Sequence, residues 1–158
     1  MFDPRYKLVI KRESFPKDQG ICLGSQLITL VQFLKNVLPS HIWYGTNIEA
    51  VGPAASKYDL DTHQLIKIGD DSNLIKYCSE IVQFIWGVFL CLDKSHENQS
   101  FINTKLSAED ESFRGIELSG VLIEIRAFDT SFFEIYSQDE GILMKLSKHF
   151  TSADISVR

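Results

Sequence analysis

Cysteine is scarce in this chain, and what there is does not pair by spacing. Cys22, Cys78 and Cys91 are three thiols among 158 residues, an odd number with no short CxxC separation. That excludes a disulfide framework as the basis of the fold. Cys78 and Cys91 also sit among apolar neighbours, where buried free thiols are common, so a reducing cytosol is the expected compartment. Low-complexity linkers and internal repeats are missing too, and a single domain over residues 1–158 is expected. No apolar run is long enough for a bilayer: the longest, Ile81 to Leu92, is interrupted by Gln83. The start Met1-Phe2-Asp3-Pro4-Arg5 lacks the charged opening and apolar stretch of a secretory signal, and the expectation is a cytoplasmic protein without a membrane partner. Positive charge is in deficit. The net charge is −5, the wrong sign for a grip on phosphate backbones outside any local basic patch, so nucleic acid is not an expected partner.

What is present is a chain with 44% hydrophobic residues, enough for a core that needs no metal or disulfide. The last third is the most regular. From Leu118 to Phe128, Val121, Ile123 and Ile125 alternate with Leu122, Glu124 and Arg126, the period of a half-buried strand. Asp129-Thr130-Ser131 suits a turn, and Phe132 to Tyr136 sets Phe133 and Ile135 against Phe132, Glu134 and Tyr136, completing an antiparallel hairpin. Ser137 stands three residues before Glu140 at capping-box spacing, ahead of a helix over Gln138 to Phe150 with Ile142, Leu143, Leu146 and Phe150 on one stripe.

Earlier in the chain, Tyr6 to Lys11 predicts a strand, possible as an edge, with Leu8 and Ile10 on one side. Ser25 is the expected N-cap of a helix from Gln26 to Leu38 that Pro39 stops. His41 to Val51 predicts a second strand, closed by Gly52-Pro53, and Ala54 to Ile68 reads as a loop or short strand. Asp71 or Ser72 should cap a helix over Ser72 to Glu80. Ile81 to Leu92 is apolar on both faces and suits a central strand covered on two sides, with a buried helix as the other reading of the pattern. Asp93 to Arg114 reads as a long surface connection. The fold class predicted is α+β, with a mainly antiparallel sheet of about five strands and two to three helices packed on it.

Candidates for chemistry are weak. His41, His63, His96 and His149 lack zinc-site spacing, so no metal is expected. A Cys78 or Cys22 nucleophile served by His63 and Asp61 can be drawn, but no local signature accompanies it, and inert buried cysteine is the plainer reading. Asp59 and Asp61 show no environment that would separate their pKa values for acid–base work. Gly20 and Gly24 lack the lysine of a phosphate loop and the GxGxxG fingerprint, and no cofactor is expected.

Binding is the better expectation. Acidic residues gather at Asp59 and Asp61, at Asp70 and Asp71, and at Glu109, Asp110 and Glu111. Ordinarily such clusters are solvated surface; read functionally, they are a negative face matched to a basic protein partner. Trp43 and Tyr44 would be anchors for that partner if exposed, and core residues otherwise.

The run from Gly120 to Tyr136, GVLIEIRAFDTSFFEIY, with a capped helix behind it, resembles the C-terminal part of small bacterial immunity proteins. That resemblance covers the last third of the chain and is a pattern of strand, turn, strand and helix, not a residue motif. It implies a cytosolic inhibitor that binds a toxin domain, often a nuclease, and masks its active site or an essential surface. Another binding or regulatory domain, or an enzyme with a hidden site, are the alternative readings.

Overall fold

The computed structural model describes residues 6–57, 65–96, 120–150 and 154–157. In chain order the elements are β1 (Tyr6–Ile10), α1 (Gly24–Lys35), β2 (His41–Val51), β3 (Ile66–Gly69), α2 (Asp71–Ser79), β4 (Gln83–Asp93), β5 (Val121–Phe128), β6 (Phe132–Ser137), α3 (Glu140–His149) and β7 (Asp154–Val157). Single 3-10 turns follow β1 and β4, at Arg12–Ser14 and Lys94–His96. The strands form one sheet in the order β3-β2-β4-β5-β6-β1-β7, every neighbour antiparallel. The architecture is α+β, as expected, but the sheet has seven strands where about five were predicted.

The two additional strands are the four-residue outer ones. Short edges carry too few residues to show a period, which is why Ile66–Gly69 read as loop or strand and Asp154–Val157 did not register. The presence of β7 also moves β1 from the edge to the interior, between β6 and β7. The greasy segment at Ile81 to Leu92 is the central strand β4, between β2 and β5.

Helix starts differ from those predicted because backbone donors found other acceptors. At α1 the cap position is Leu23, and the Gln26 side-chain oxygen takes the Leu23 N–H at 3.0 Å. The Gln26 amide then donates to Asp18 Oδ2 at 3.0 Å and to the Gly20 carbonyl at 2.8 Å. One buried glutamine therefore ties the helix start to the loop before it, while Ser25 lies exposed inside the helix. The α1 helix ends at Lys35, short of Leu38, and two turns back onto the Leu34 carbonyl lead to Pro39. Asp70 caps α2, one residue before the positions expected. Asp139 caps α3 by accepting from Gly141 N–H at 2.8 Å, whereas the Ser137 hydroxyl donates to the Leu122 carbonyl at 3.1 Å and accepts from Asp139 N–H.

The three helices among the described residues lie on one face of the sheet. Leu27, Leu30, Val31 and Leu34 of α1, Leu74 and Tyr77 of α2, and Leu143 and Leu146 of α3 meet Leu8, Trp43, Phe84, Phe89, Ile125 and Phe133 in the main core. A second buried cluster, Ile42, Tyr44, Leu65, Val88, Leu90, Leu92, Val121 and Tyr136, occupies the opposite face and draws on no helix among the described residues. Two irregularities decide which side chain goes where. Asn47 adopts a left-handed φ of 50° where the β2–β4 register shifts, so Trp43 and Gly45 face the helices before it and Ile48 and Ala50 after it. A second shift between Cys91 and Leu92 sends Val121 to the second cluster while Ile123 and Ile125 stay in the first.

Candidate functional site

The face of the sheet that carries no helix among the described residues, the helix-free face, is ordered in rows, because antiparallel partners project to the same side. The first row, Tyr44, Leu90, Glu124, Tyr136 and Lys7, runs across β2, β4, β5, β6 and β1. The next row is Thr46, Val88, Arg126 and Glu134. The third is Glu49, Trp86, Phe128 and Phe132, at the end of the sheet where the β5–β6 hairpin turns.

Charge is set into the middle of this face. Glu124 and Arg126 are both fully buried, and Arg126 Nε donates to Glu124 Oε2 at 2.7 Å. The guanidinium also lies 5.2 Å from the centroid of the Tyr136 ring. Tyr136 donates its hydroxyl to Glu134 Oε2 at 3.1 Å, and Lys7 Nζ stands 3.4 Å from the same oxygen. Burial works against the charge on Arg126, but the Glu124 carboxylate, helped by Tyr136 and Glu134, outweighs it and raises the Arg126 pKa. The guanidinium therefore stays charged inside the protein.

Beside this network the third row is aromatic and half-buried. Trp86 meets Phe128 edge to face at 5.2 Å, and Phe128 stacks on Phe132 at 5.0 Å with 10° between the planes. The turn that brings Phe128 and Phe132 together places both Asp129 and Thr130 at left-handed φ, 47° and 53°, closed by Ser131 N–H to the Phe128 carbonyl at 2.8 Å. Two exposed carboxylates neighbour this row, Glu49 opposite Trp86 in the β2–β4 pairing and Asp129 directly after Phe128 in the turn.

The residues expected to meet a partner are distributed otherwise. Trp43 is wholly buried in the main core, and its indole Nε1 donates to Asp71 Oδ1 at 2.8 Å. Tyr44 is buried on the opposite face. Neither is available as a surface anchor, which corrects that reading: alternation inside a central strand buries both neighbours when both faces are covered. Asp71 is turned inward, since His41 Nε2 also contacts its Oδ1 at 2.7 Å, and His41 Nδ1 lies 2.6 Å from the Pro39 carbonyl. This constellation fastens the start of α2 to the start of β2. Asp70 is exposed but works as a helix cap; hydrogen bonds from the Ser72 hydroxyl and the Asn73 N–H lower its pKa. Asp59, Asp61, Glu109, Asp110 and Glu111 lie outside the described residues, as does His63.

The cysteines are poor nucleophiles. Burial, against the Phe128 and Phe132 carbonyls that its thiol approaches, pushes the Cys22 pKa up to about 12. Burial also raises Cys78, and burial together with the Asp71 and Asp93 carboxylates raises Cys91. We expect none of the three to react with iodoacetamide at pH 8 within the minutes that modify an exposed thiol, and all three to react in guanidinium chloride. Rapid labelling of one native thiol, read by intact mass, would contradict this burial. Among the described residues no group of three or more His, Cys, Asp or Glu side chains could hold a metal ion, and no helix is long and apolar enough to cross a membrane.

The aromatic row escaped sequence reasoning in part. Trp86 lies within the apolar run Ile81 to Leu92, which reads as covered on both faces, and Phe128 and Phe132 read only as strand residues. Their positions on either side of the Asp129-Thr130-Ser131 turn were the available signal, since residues flanking a tight hairpin turn are cross-strand partners. No protein-family model, no curated protein and no solved structure matches this chain.

Proposed function

We propose that this chain acts by binding a protein partner through the half-buried aromatic row at the hairpin end of its sheet, as an inhibitor of a bacterial toxin domain and without chemistry of its own. The observation that supports this reading is the half-buried stack of Trp86, Phe128 and Phe132, three large side chains held side by side on three adjacent strands. Aromatic residues dominate the energetics of protein interfaces because they remove much apolar area from water at a small cost in rotamer entropy. A sheet presents them with little conformational freedom left to lose on docking. The net charge of −5 suits a basic partner such as a nuclease domain. The strand, turn and strand that resemble immunity proteins are β5 and β6, the same hairpin that carries Phe128 and Phe132.

The test is co-purification of the tagged protein with the product of its neighbouring gene, followed by growth of cells expressing that product with and without this chain. A stable complex and rescued growth are expected. Toxicity that persists in the presence of the folded protein, with no complex recovered, would overturn the inhibitor reading.

A further inference from the structure

We propose that the Trp86, Phe128 and Phe132 stack, with Glu49 opposite Trp86 and Asp129 following Phe128 in the turn, receives an arginine side chain of the partner; this rests on the reading that the aromatic row binds a protein. Aromatic faces carry negative electrostatic potential, so a cation laid against them is attracted, and a planar guanidinium adds stacking that a lysine ammonium does not. The carboxylates supply the second half of the recognition, because a guanidinium donates in a fork that matches carboxylate oxygens. Both are exposed, one opposite Trp86 across the β2–β4 pairing and one beside Phe128 in the turn.

The chain already contains this chemistry one row away. Its own Arg126 pairs with the Glu124 carboxylate at 2.7 Å and lies 5.2 Å from the Tyr136 ring centroid. Arg126 and Phe128 are two residues apart on β5 and therefore project from the same face. The outer row repeats ring and carboxylate at a half-exposed position, and the guanidinium is the component a partner would bring.

The first measurement is a titration of the intact protein followed by amide and indole NMR shifts, with the peptide acetyl-Gly-Arg-Gly-Arg-Gly-amide as probe and its citrulline counterpart as the uncharged isostere. Saturable shifts of the Trp86 indole and of the Glu49 and Asp129 amides are expected with the arginine peptide, while the Trp43 indole, buried in the core, stays fixed. The variant E49Q/D129N should bind about fivefold more weakly. Equal shifts with the citrulline peptide, or no shifts in this row, would overturn the proposal. Unchanged affinity in E49Q/D129N would overturn it as well. The two readings separate in the complex with the neighbouring gene product: full affinity retained by E49K/D129K, its fold checked by thermal melting, sinks the arginine proposal and leaves the inhibitor reading intact. Peptide binding at this row without any such complex does the reverse.

Discussion

Replacing Arg126 with methionine should lower the folding free energy by about 3–5 kcal/mol, because it leaves the carboxylate of Glu124 buried without the guanidinium that balances it. On the scale of a domain whose total stability is about 5–15 kcal/mol, this one change brings the fold close to its limit. The double variant E124L/R126M behaves differently, since it removes both charges and fills similar volume; stability equal to the native protein or above it is expected. Urea denaturation of the native protein and of both variants measures the difference directly. A loss of under about 1 kcal/mol in R126M would show that water reaches Glu124, and the description of a dry ion pair on this face would fail.

Gly24→Ala has the second large effect, and its sign runs against helix propensity. Alanine is favoured over glycine by about 1 kcal/mol in a helix interior. At this position, however, a Cβ would stand 2.2 Å from the Ile81 carbonyl oxygen and 2.3 Å from that of Cys78, both backbone atoms that cannot rotate away. The first turn of α1 would have to withdraw from the end of α2, loosening the 3.3 Å bond from Gly24 N–H to the Val82 carbonyl. We expect a net loss of about 3 kcal/mol, at the upper end of the cost of overpacking. Ser25→Ala, one residue on, supplies the control. Ser25 is exposed within the helix, so its replacement should change stability by under about 0.5 kcal/mol, where loss of a true N-cap would cost about 1 kcal/mol. Chemical denaturation of G24A and S25A together tests both the close approach of the two helices and the position of the cap.

The strands β1, β2, β4, β5 and β6 and all three helices were legible because each is long enough for its period to emerge. Leu8 with Ile10, and Phe133 with Ile135, alternate at period two, while Leu27, Leu30, Val31 and Leu34 recur at helical spacing. The caps were less legible. Ser25 and Ser137 are reasonable cap residues on local grounds, but Gln26 and Asp139 won through hydrogen bonds whose geometry depends on the preceding loop and on the Leu122 carbonyl. The candidate face was half legible. That Glu124, Arg126, Glu134 and Tyr136 share the side away from the main core follows from alternation alone. That Glu124 and Arg126 are fully buried and paired does not, because an exposed strand would show the same pattern.

By itself, then, the amino-acid sequence pointed to an α+β chain, an apolar run at Ile81 to Leu92 that suits a central strand or a buried helix, and a hairpin of Leu118 to Phe128 with Phe132 to Tyr136; these depend on interactions between residues near one another in the chain. Tertiary structure alone decided the seven-strand order, the inward turn of Asp71 toward Trp43 and His41, the register shifts at Asn47 and between Cys91 and Leu92, and the meeting of Trp86 with Phe128 and Glu49. Each of those joins residues distant in sequence, where the outcome depends on register and on which backbone groups remain to be satisfied, and no local period encodes either.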